Sequence, residues 1–175
     1  MNVFGGDRPA SGAPSQEPLD AVKVKFKKLH PDAKLPQRAR FGDAAFDLSA
    51  FREPSDQYTF PEFRLPTTRP HNTLLVPTGV AIEIPYGYCG LVLPRSGLAI
   101  RAGVTVINSP GLIDPGYRGE IMVGLINHGW HEYKFFNGER IAQLLILKLP
   151  HVVIEEVQAL TDSERGEGGF GSTGL

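Results

Sequence analysis

From about residue 21 onward, hydrophobic and polar positions alternate with a period of two through much of the chain. In AVKVKFKKL, Val22, Val24 and Phe26 alternate with Lys23, Lys25 and Lys27. This is the pattern of a half-buried strand whose lysines face water and blunt an edge. Val80, Ile82 and Ile84 repeat it, as do Ile121, Val123 and Leu125, while CGLVL, GVTVI, IAQLLILKL and VVIEEV are short β-prone runs. Gly, Pro or Asn-Gly punctuates nearly every gap, and Asn137-Gly138 in HEYKFFNGERIAQLL predicts a hairpin between the runs on either side. Only LAIRA, just after Gly97, sustains a short helix. Many short strands with closely spaced turns predict an all-β barrel or sandwich, and there is no internal repeat.

Two segments break the pattern. Residues 1–20 are rich in Gly, Pro, Ser and Ala and cannot bury enough surface to offset ordering entropy, so a disordered leader is expected. From Phe51 to Leu75 the chain carries Pro54, Pro61, Pro66 and Pro70, with Pro77 just beyond. That density opposes central strands and helices and predicts an insertion over about 52–75, with one edge strand near Tyr58 to Phe63. Its alternating aromatics Tyr58, Phe60 and Phe63 either fold back onto the barrel or offer a docking surface to a protein partner. The expected organisation is a leader over 1–20, a β domain over 21–161 and a Gly-rich arm over 162–175.

A length of 175 residues, 41% apolar and 21% charged, fits one globular domain with a sizeable core. Eighteen Lys and Arg against nineteen Asp and Glu give a net charge of -1, which excludes a nucleic-acid backbone as the main partner and confines any polyanion site to a local cluster. The single cysteine, Cys89, reads as a small apolar residue on a strand and rules out an internal disulfide, favouring a reducing compartment. No stretch approaches membrane-spanning length and the first residues lack a signal-peptide pattern. A cytoplasmic protein without a membrane partner is expected.

The candidate chemistry is concentrated in five segments. RGEGGFGSTG, Arg165 to Gly174, combines a planar cationic fork, glycines that admit an anion to the backbone, the hydroxyls of Ser172 and Thr173, and Phe170 as a stacking face. It reads as an arm that closes over a phosphorylated ligand, or as a plain Gly-rich tail. In PRSGLA, Arg95 can neutralise phosphate oxygens, Ser96 can donate to them and Gly97 permits close approach where a helix begins; the alternative is a strand-to-helix turn with Ser96 as its cap. In NSPGLIDPGYRGE a tight hairpin would present main-chain donors and acceptors to a planar base, with Asn108 at its foot. Asp114 could instead be a turn residue bonding its own backbone, and Tyr117 a barrel-rim aromatic. DAAFDL offers Asp43 and Asp47, with a strand-end role as the alternative for Asp47. RIAQLL sets Arg140 and Gln143 three apart, hence on opposite faces of a strand, with Arg140 either bridging subunits or bracing the fold. His128 and His131 in HGWH read as residues of a solvated turn.

Taken in order, DAAFDLSA, PRSGLAIRAGV, NSPGLIDPGYRGE, RIAQLL and RGEGGFGSTG resemble the five motifs of the trimeric dUTP diphosphatases (dUTPases), across roughly Val22 to Gly174. NSPGLIDPGYRGEI is closest to the actinobacterial type. The resemblance implies a jelly-roll-like barrel with one short helix and a mobile C-terminal arm, assembled as a homotrimer with three active sites at subunit interfaces. It implies hydrolysis of dUTP to dUMP and diphosphate by water attack at the α-phosphorus, which limits uracil incorporation into DNA and supplies dUMP for thymidylate synthesis. Asp114 matches the residue that orients and deprotonates the water. Arg95, Ser96, Gly97 and Gln143 match triphosphate contacts. Asn108, Met122 and the backbone of Leu112 and Ile113 match the uracil pocket, and Tyr117 the ring that packs on deoxyribose and excludes a 2'-hydroxyl. Arg165, Phe170, Gly171, Ser172 and Thr173 match the closing arm. Mg²⁺ would be held mostly by phosphates and water, with Asp47 touching it through water or bracing the site. Ala45 departs from the family, which usually has glycine there. The rivals are a dCTP deaminase of the same superfamily, which typically lacks the GGFGSTG arm, and a nucleotide-gated binding protein that grips a partner through the Pro-rich segment.

Overall fold

The computed structural model describes residues 21–53, 62–67 and 72–167; Tyr58, Phe60, the leader, and Phe170, Gly171, Ser172 and Thr173 of the arm lie outside them. Among the described residues ten strands and one helix follow one another: β1 (Lys25–Lys28), β2 (Phe46–Ser49), β3 (Glu62–Leu65), β4 (Thr73–Glu83), β5 (Tyr88–Leu93), α1 (Ser96–Ala102), β6 (Val104–Val106), β7 (Gly111–Ile113), β8 (Glu120–Asn127), β9 (Tyr133–Phe136) and β10 (Arg140–Lys148). They form two four-stranded sheets, ordered β1-β4-β8-β6 and β2-β10-β5-β7, and a two-stranded ribbon of β3 and β9; every pairing is antiparallel. Among the described residues no helix is long and apolar enough to cross a membrane.

The period-two pattern places the core between the two large sheets, as in a jelly-roll-like sandwich. Val80 and Ile82 of β4 and Ile121, Val123 and Leu125 of β8 meet Leu48 of β2, Val92 of β5, Ile113 of β7 and Leu144 of β10 in one buried cluster. Cys89 is buried on β5 as its apolar surroundings in the sequence suggested. At the edge of the first sheet β1 exposes its lysines, and Lys25 pairs with Glu83 at 2.8 Å, which holds that exposed carboxyl below its ordinary range. Gly103, in the left-handed conformation at φ 69°, ends α1.

Three local expectations change. Pro77 lies inside the central strand β4, opposite Met122. The missing N–H is accommodated because β4 is irregular there: the pairing with β8 shifts between Pro77 and Ala81, and the Pro77 carbonyl accepts from Phe51 N. The Asn137-Gly138 turn forms, with Glu139 N donating to Phe136 O at 3.1 Å, but the strands it joins do not pair with each other. β9 pairs with β3, while β10 enters the sheet between β2 and β5. A two-residue turn reverses the chain without choosing the ladder. Here the choice follows burial of Phe63 and Leu65 on β3, with Phe63 stacked on Phe135 at 4.9 Å. The Asn137 side chain also clamps the backbone of Arg52, accepting at 2.8 Å and donating at 2.7 Å. The strand in the Pro-rich segment is therefore Glu62–Leu65, and Phe63 folds back into the core. Finally, VVIEEV forms no strand: after Lys148 the described chain has no further helix or strand, and Val152, Val153, Ile154 and Val157 are exposed.

The irregularity in β4 also makes Gly79 irreplaceable. It sits at φ +70°, and a methyl group there would fall 2.6 Å from Ala33 Cβ and 2.7 Å from Phe51 Cδ1. Gly79→Ala should lower stability by about 2–4 kcal/mol, combining left-handed backbone strain with overpacking. A urea unfolding midpoint equal to that of the parent would contradict this.

Candidate functional site

Two clefts collect most of the residues singled out in the sequence. The first, of about 200 Å³, is lined by Asn108, Gly111, Leu112, Ile113, Asp114, Tyr117, Glu120, Met122 and Gly124, with Val92 and Ile121. Its walls follow from a topological detail. Segment 108–120 is not a paired hairpin: β7 is an edge strand on β5 in one sheet, whereas β8 belongs to the other. The chain diverges between the sheets, and neither strand satisfies the other's backbone. β6 covers only Leu125–Asn127 of β8, so β8 from Glu120 to Val123 has no ladder on that side. A slot between two such edges suits a flat molecule with its own donors and acceptors, because unpaired strand edges present alternating N–H and C=O groups. Its volume falls short of the roughly 300–1,000 Å³ of drug-sized sites, so it suits a small ligand or one part of a larger one.

Side chains are fixed along this slot by short turns. Asp114 follows β7 and opens a turn in which Tyr117 N donates to its carbonyl at 3.1 Å. The Asp114 side chain does not bond its own backbone; among the described residues its carboxylate engages no donor or cation, and it is exposed to the cleft. The Tyr117 hydroxyl donates to Glu120 O at 2.6 Å, which folds the ring back toward the start of β8. Glu120 is occupied elsewhere: its Oε1 accepts from Gly79 N at 2.6 Å. Gly111 leaves room for the Asn108 amide, whose Nδ2 would lie 3.2 Å from a methyl group there.

The second cleft, of about 400 Å³, is lined by Asp43, Ala44, Ala45, Asp47, Arg95, Arg140 and Gln143, with Ala39, Leu93 and Leu145. Asp47 is its hub. Arg95 Nε donates to Asp47 Oδ1 at 3.1 Å and Arg140 Nη1 to Asp47 Oδ2 at 2.9 Å, while Arg95 Nη1 reaches Arg140 O at 2.9 Å. With the carboxylate largely buried, both guanidinium groups are held at the cleft wall, an arrangement suited to a polyanion. Arg140 and Gln143 were expected on opposite faces of β10, yet both line this cleft. The register of β10 against β2 shifts between Arg140 and Ala142, and Ile141 and Ala142 are both buried, so a bulge inserts one residue and reverses the parity. No alternation in the sequence marks it.

The two clefts share no lining residue. Ser96 and Gly97 form the first turn of α1 beside Arg95; Arg95 itself is the cap residue, and no side chain caps the helix. Arg165 is exposed in the 164–167 turn and lines neither cleft. His128 and His131 stay exposed in the β8–β9 turn, where Asn127 Nδ2 donates to His131 O at 2.9 Å. Among the described residues no three His, Cys, Asp or Glu groups converge to hold a metal. The sequence reading missed Glu120 and the glycines 111, 119 and 124; GYRGE and the Gly at each cleft position were visible, but not what they face.

Comparison with known proteins shows the family. A family model described as dUTPase matches residues 31–174. A deoxyuridine 5'-triphosphate nucleotidohydrolase of Dictyoglomus turgidum is 46% identical, covering 88% of this chain and 99% of its own. The protein of that name from Clostridioides difficile is also 46% identical, over 87% of this chain and 98% of its own. That from Rhodococcus erythropolis is 42% identical, over 89% and 88%. Among solved structures, the Staphylococcus bacteriophage 80alpha dUTPase with dUPNHPP superposes with a TM-score of 0.74 at 26% identity, covering 87% of this chain and 99% of that one.

Proposed function

The chain belongs to the dUTPase family, and on that premise we propose how its two clefts divide one reaction, the hydrolysis of dUTP to dUMP and diphosphate. The observation that carries the reading is the slot between β7 and β8, where unpaired backbone edges meet an unengaged carboxylate, Asp114. Uracil enters the slot against the main chain of Leu112 and Ile113, with Asn108 at its foot and Met122 on the facing strand. Tyr117 lies against the deoxyribose. Asp114 takes a proton from a water as its oxygen bonds to the α-phosphorus; the bond from that phosphorus to the bridging oxygen breaks, and diphosphate leaves with the electron pair. Little covalent work falls to the protein, so positioning and charge neutralisation supply most of the acceleration.

The second cleft takes the phosphates. Arg95 offers charge-assisted donors, Gln143 a neutral donor, and Ser96 and Gly97 the start of α1. Asp47 serves here as a brace, since both its oxygens already accept guanidinium donors. A magnesium ion would be held mostly by phosphate oxygens and water, since Mg²⁺ gives up water reluctantly; Asp43 and Asp47 are the carboxylates that line this cleft. When bound, the ion neutralises charge on the triphosphate.

The base slot and the arginine cleft share no lining residue. This supports a homotrimer whose sites combine clefts from different subunits. The exposed apolar residues Leu112, Leu147, Val152, Val153 and Ile154 support the same reading, for they lack cover among the described residues. The Gly-rich end completes the site, with Arg165, Phe170, Gly171, Ser172 and Thr173 closing on a neighbouring subunit's nucleotide.

Diphosphate release from dUTP, dCTP, dTTP and UTP with Mg²⁺ tests the activity; equal rates would refute it. Stopping the chain after Thr161 tests the arm. Residues 162–167 are exposed, so the shortened protein should fold and sediment as the parent does. It should lose most catalysis, because the contacts of Arg165 and Phe170 are each worth about 1–3 kcal/mol. Full activity would make the arm an ordinary tail, and loss of assembly would make it a strap.

A further inference from the structure

Tyr117 and Gly119 stand two residues apart, and the ring of one occupies the space where a side chain of the other would be. A methyl group at Gly119 would fall 2.5 Å from the Tyr117 hydroxyl oxygen, 2.7 Å from Cζ and 3.0 Å from Cε2. Real Cβ atoms do not approach neighbours so closely, so ring or backbone would have to move. The requirement is one of space: Gly119 is not among the glycines with positive φ, so its backbone does not by itself call for glycine. The ring is drawn into this position by the 2.6 Å hydrogen bond from its hydroxyl to Glu120 O, which spans Gly119. Glu120 is in turn fixed by its carboxylate on Gly79 N and by its pairing opposite Ala81.

We infer that Gly119 is a positioning residue for sugar selection: by having no side chain it lets the Tyr117 ring lie back against the backbone at the depth where a 2'-hydroxyl is excluded. The inference rests on the assignment of Tyr117 to the sugar. Any side chain at 119 pushes the ring outward, toward the space a deoxyribose would fill. Two consequences follow from that direction of movement. The ring no longer stands where it distinguishes ribose from deoxyribose, and it obstructs the sugar it formerly packed against. Selection at the base is untouched, because it rests on Leu112, Ile113 and Asn108, whereas the three nearest atoms to a methyl group at 119 all belong to Tyr117.

The test compares kcat/KM for dUTP, UTP and dCTP in Gly119→Ala, Tyr117→Ala and the double variant. Gly119→Ala is expected to raise the UTP to dUTP ratio by about tenfold to a hundredfold, the range that one misfitted group in a pocket produces, while leaving the dCTP to dUTP ratio unchanged. Tyr117→Ala should relax the ratio as well. The double variant should match Tyr117→Ala in ratio and in thermal unfolding, since the alanine then has no ring to displace. A Tyr117→Ala variant that selects sugars less strictly, beside a Gly119→Ala variant that selects as the parent does, would overturn the inference and leave the Tyr117 assignment standing. Unchanged UTP rejection in Tyr117→Ala would instead refute that assignment. A double variant less stable than Tyr117→Ala would show that alanine at 119 harms the fold without the ring, and would also overturn the inference, even where Gly119→Ala alone folds poorly.

Discussion

Asp114→Asn should bind a slowly hydrolysed dUTP analogue about as tightly as the parent while turning dUTP over roughly 10² to 10⁴ times more slowly, the scale of losing a positioned general base. Asparagine keeps the size of the side chain and leaves the turn intact, because the turn uses the Asp114 carbonyl rather than the carboxylate. What it removes is basicity. The carboxylate satisfies no other group among the described residues, so no structural bond is lost with it. The variant therefore separates chemistry from folding more cleanly than a substitution at Asp47, where two guanidinium groups would lose their partner. Calorimetric binding and single-turnover diphosphate release decide the matter. Turnover within a few-fold of the parent would remove Asp114 from the catalytic step.

Discrimination against dCTP should reach the order of 10⁴ in kcat/KM, because a site built from fixed donors and acceptors leaves buried groups unpaired when the pattern is reversed. Uracil presents a donor at N3 and an acceptor at position 4, and cytosine presents the opposite at both. Side chains could rotate to suit either base, but strand edges cannot. Leu112 and Ile113 are fixed by β7 pairing with β5, from Gly111 opposite Val92 to Ile113 opposite Gly90. Thymine would be excluded by its methyl group in the same narrow slot. Competition assays with both nucleotides present measure the ratio directly. Similar kcat/KM values for dUTP and dCTP would place the chain nearer the deaminases or give it a looser pocket.

Much of this was legible along the chain because it depends on local rules. Alternation at Ile121, Val123 and Leu125 marks a strand with one buried face whatever its neighbours. The absence of any other Gly- and Pro-free helical stretch leaves LAIRA as the helix, observed as Ser96–Ala102. Residue types at NSPGLIDPGYRGE carry the family resemblance because the whole motif lies in one short segment. Local rules failed where a residue's role depends on a distant partner. Pro77 looked incompatible with a central strand, but β4 is irregular there and the Pro77 carbonyl accepts from Phe51 N. VVIEEV has strand propensity but pairs with no strand among the described residues.

What the sequence determined by itself is thus the all-β class, the positions of most strands and the chemical inventory of the site, since periodicity and residue chemistry are properties of short segments. Only the tertiary structure decided how that inventory is divided. The sheet assignments of β7 and β8 opened the slot beside Asp114, the bulge after Arg140 turned that arginine toward Gln143, and Asp47 drew Arg95 and Arg140 together from positions 48 and 93 residues away. Strand pairing and parity are set by which side chains find burial and which charges find partners across the whole chain, and no window of neighbouring residues contains that information.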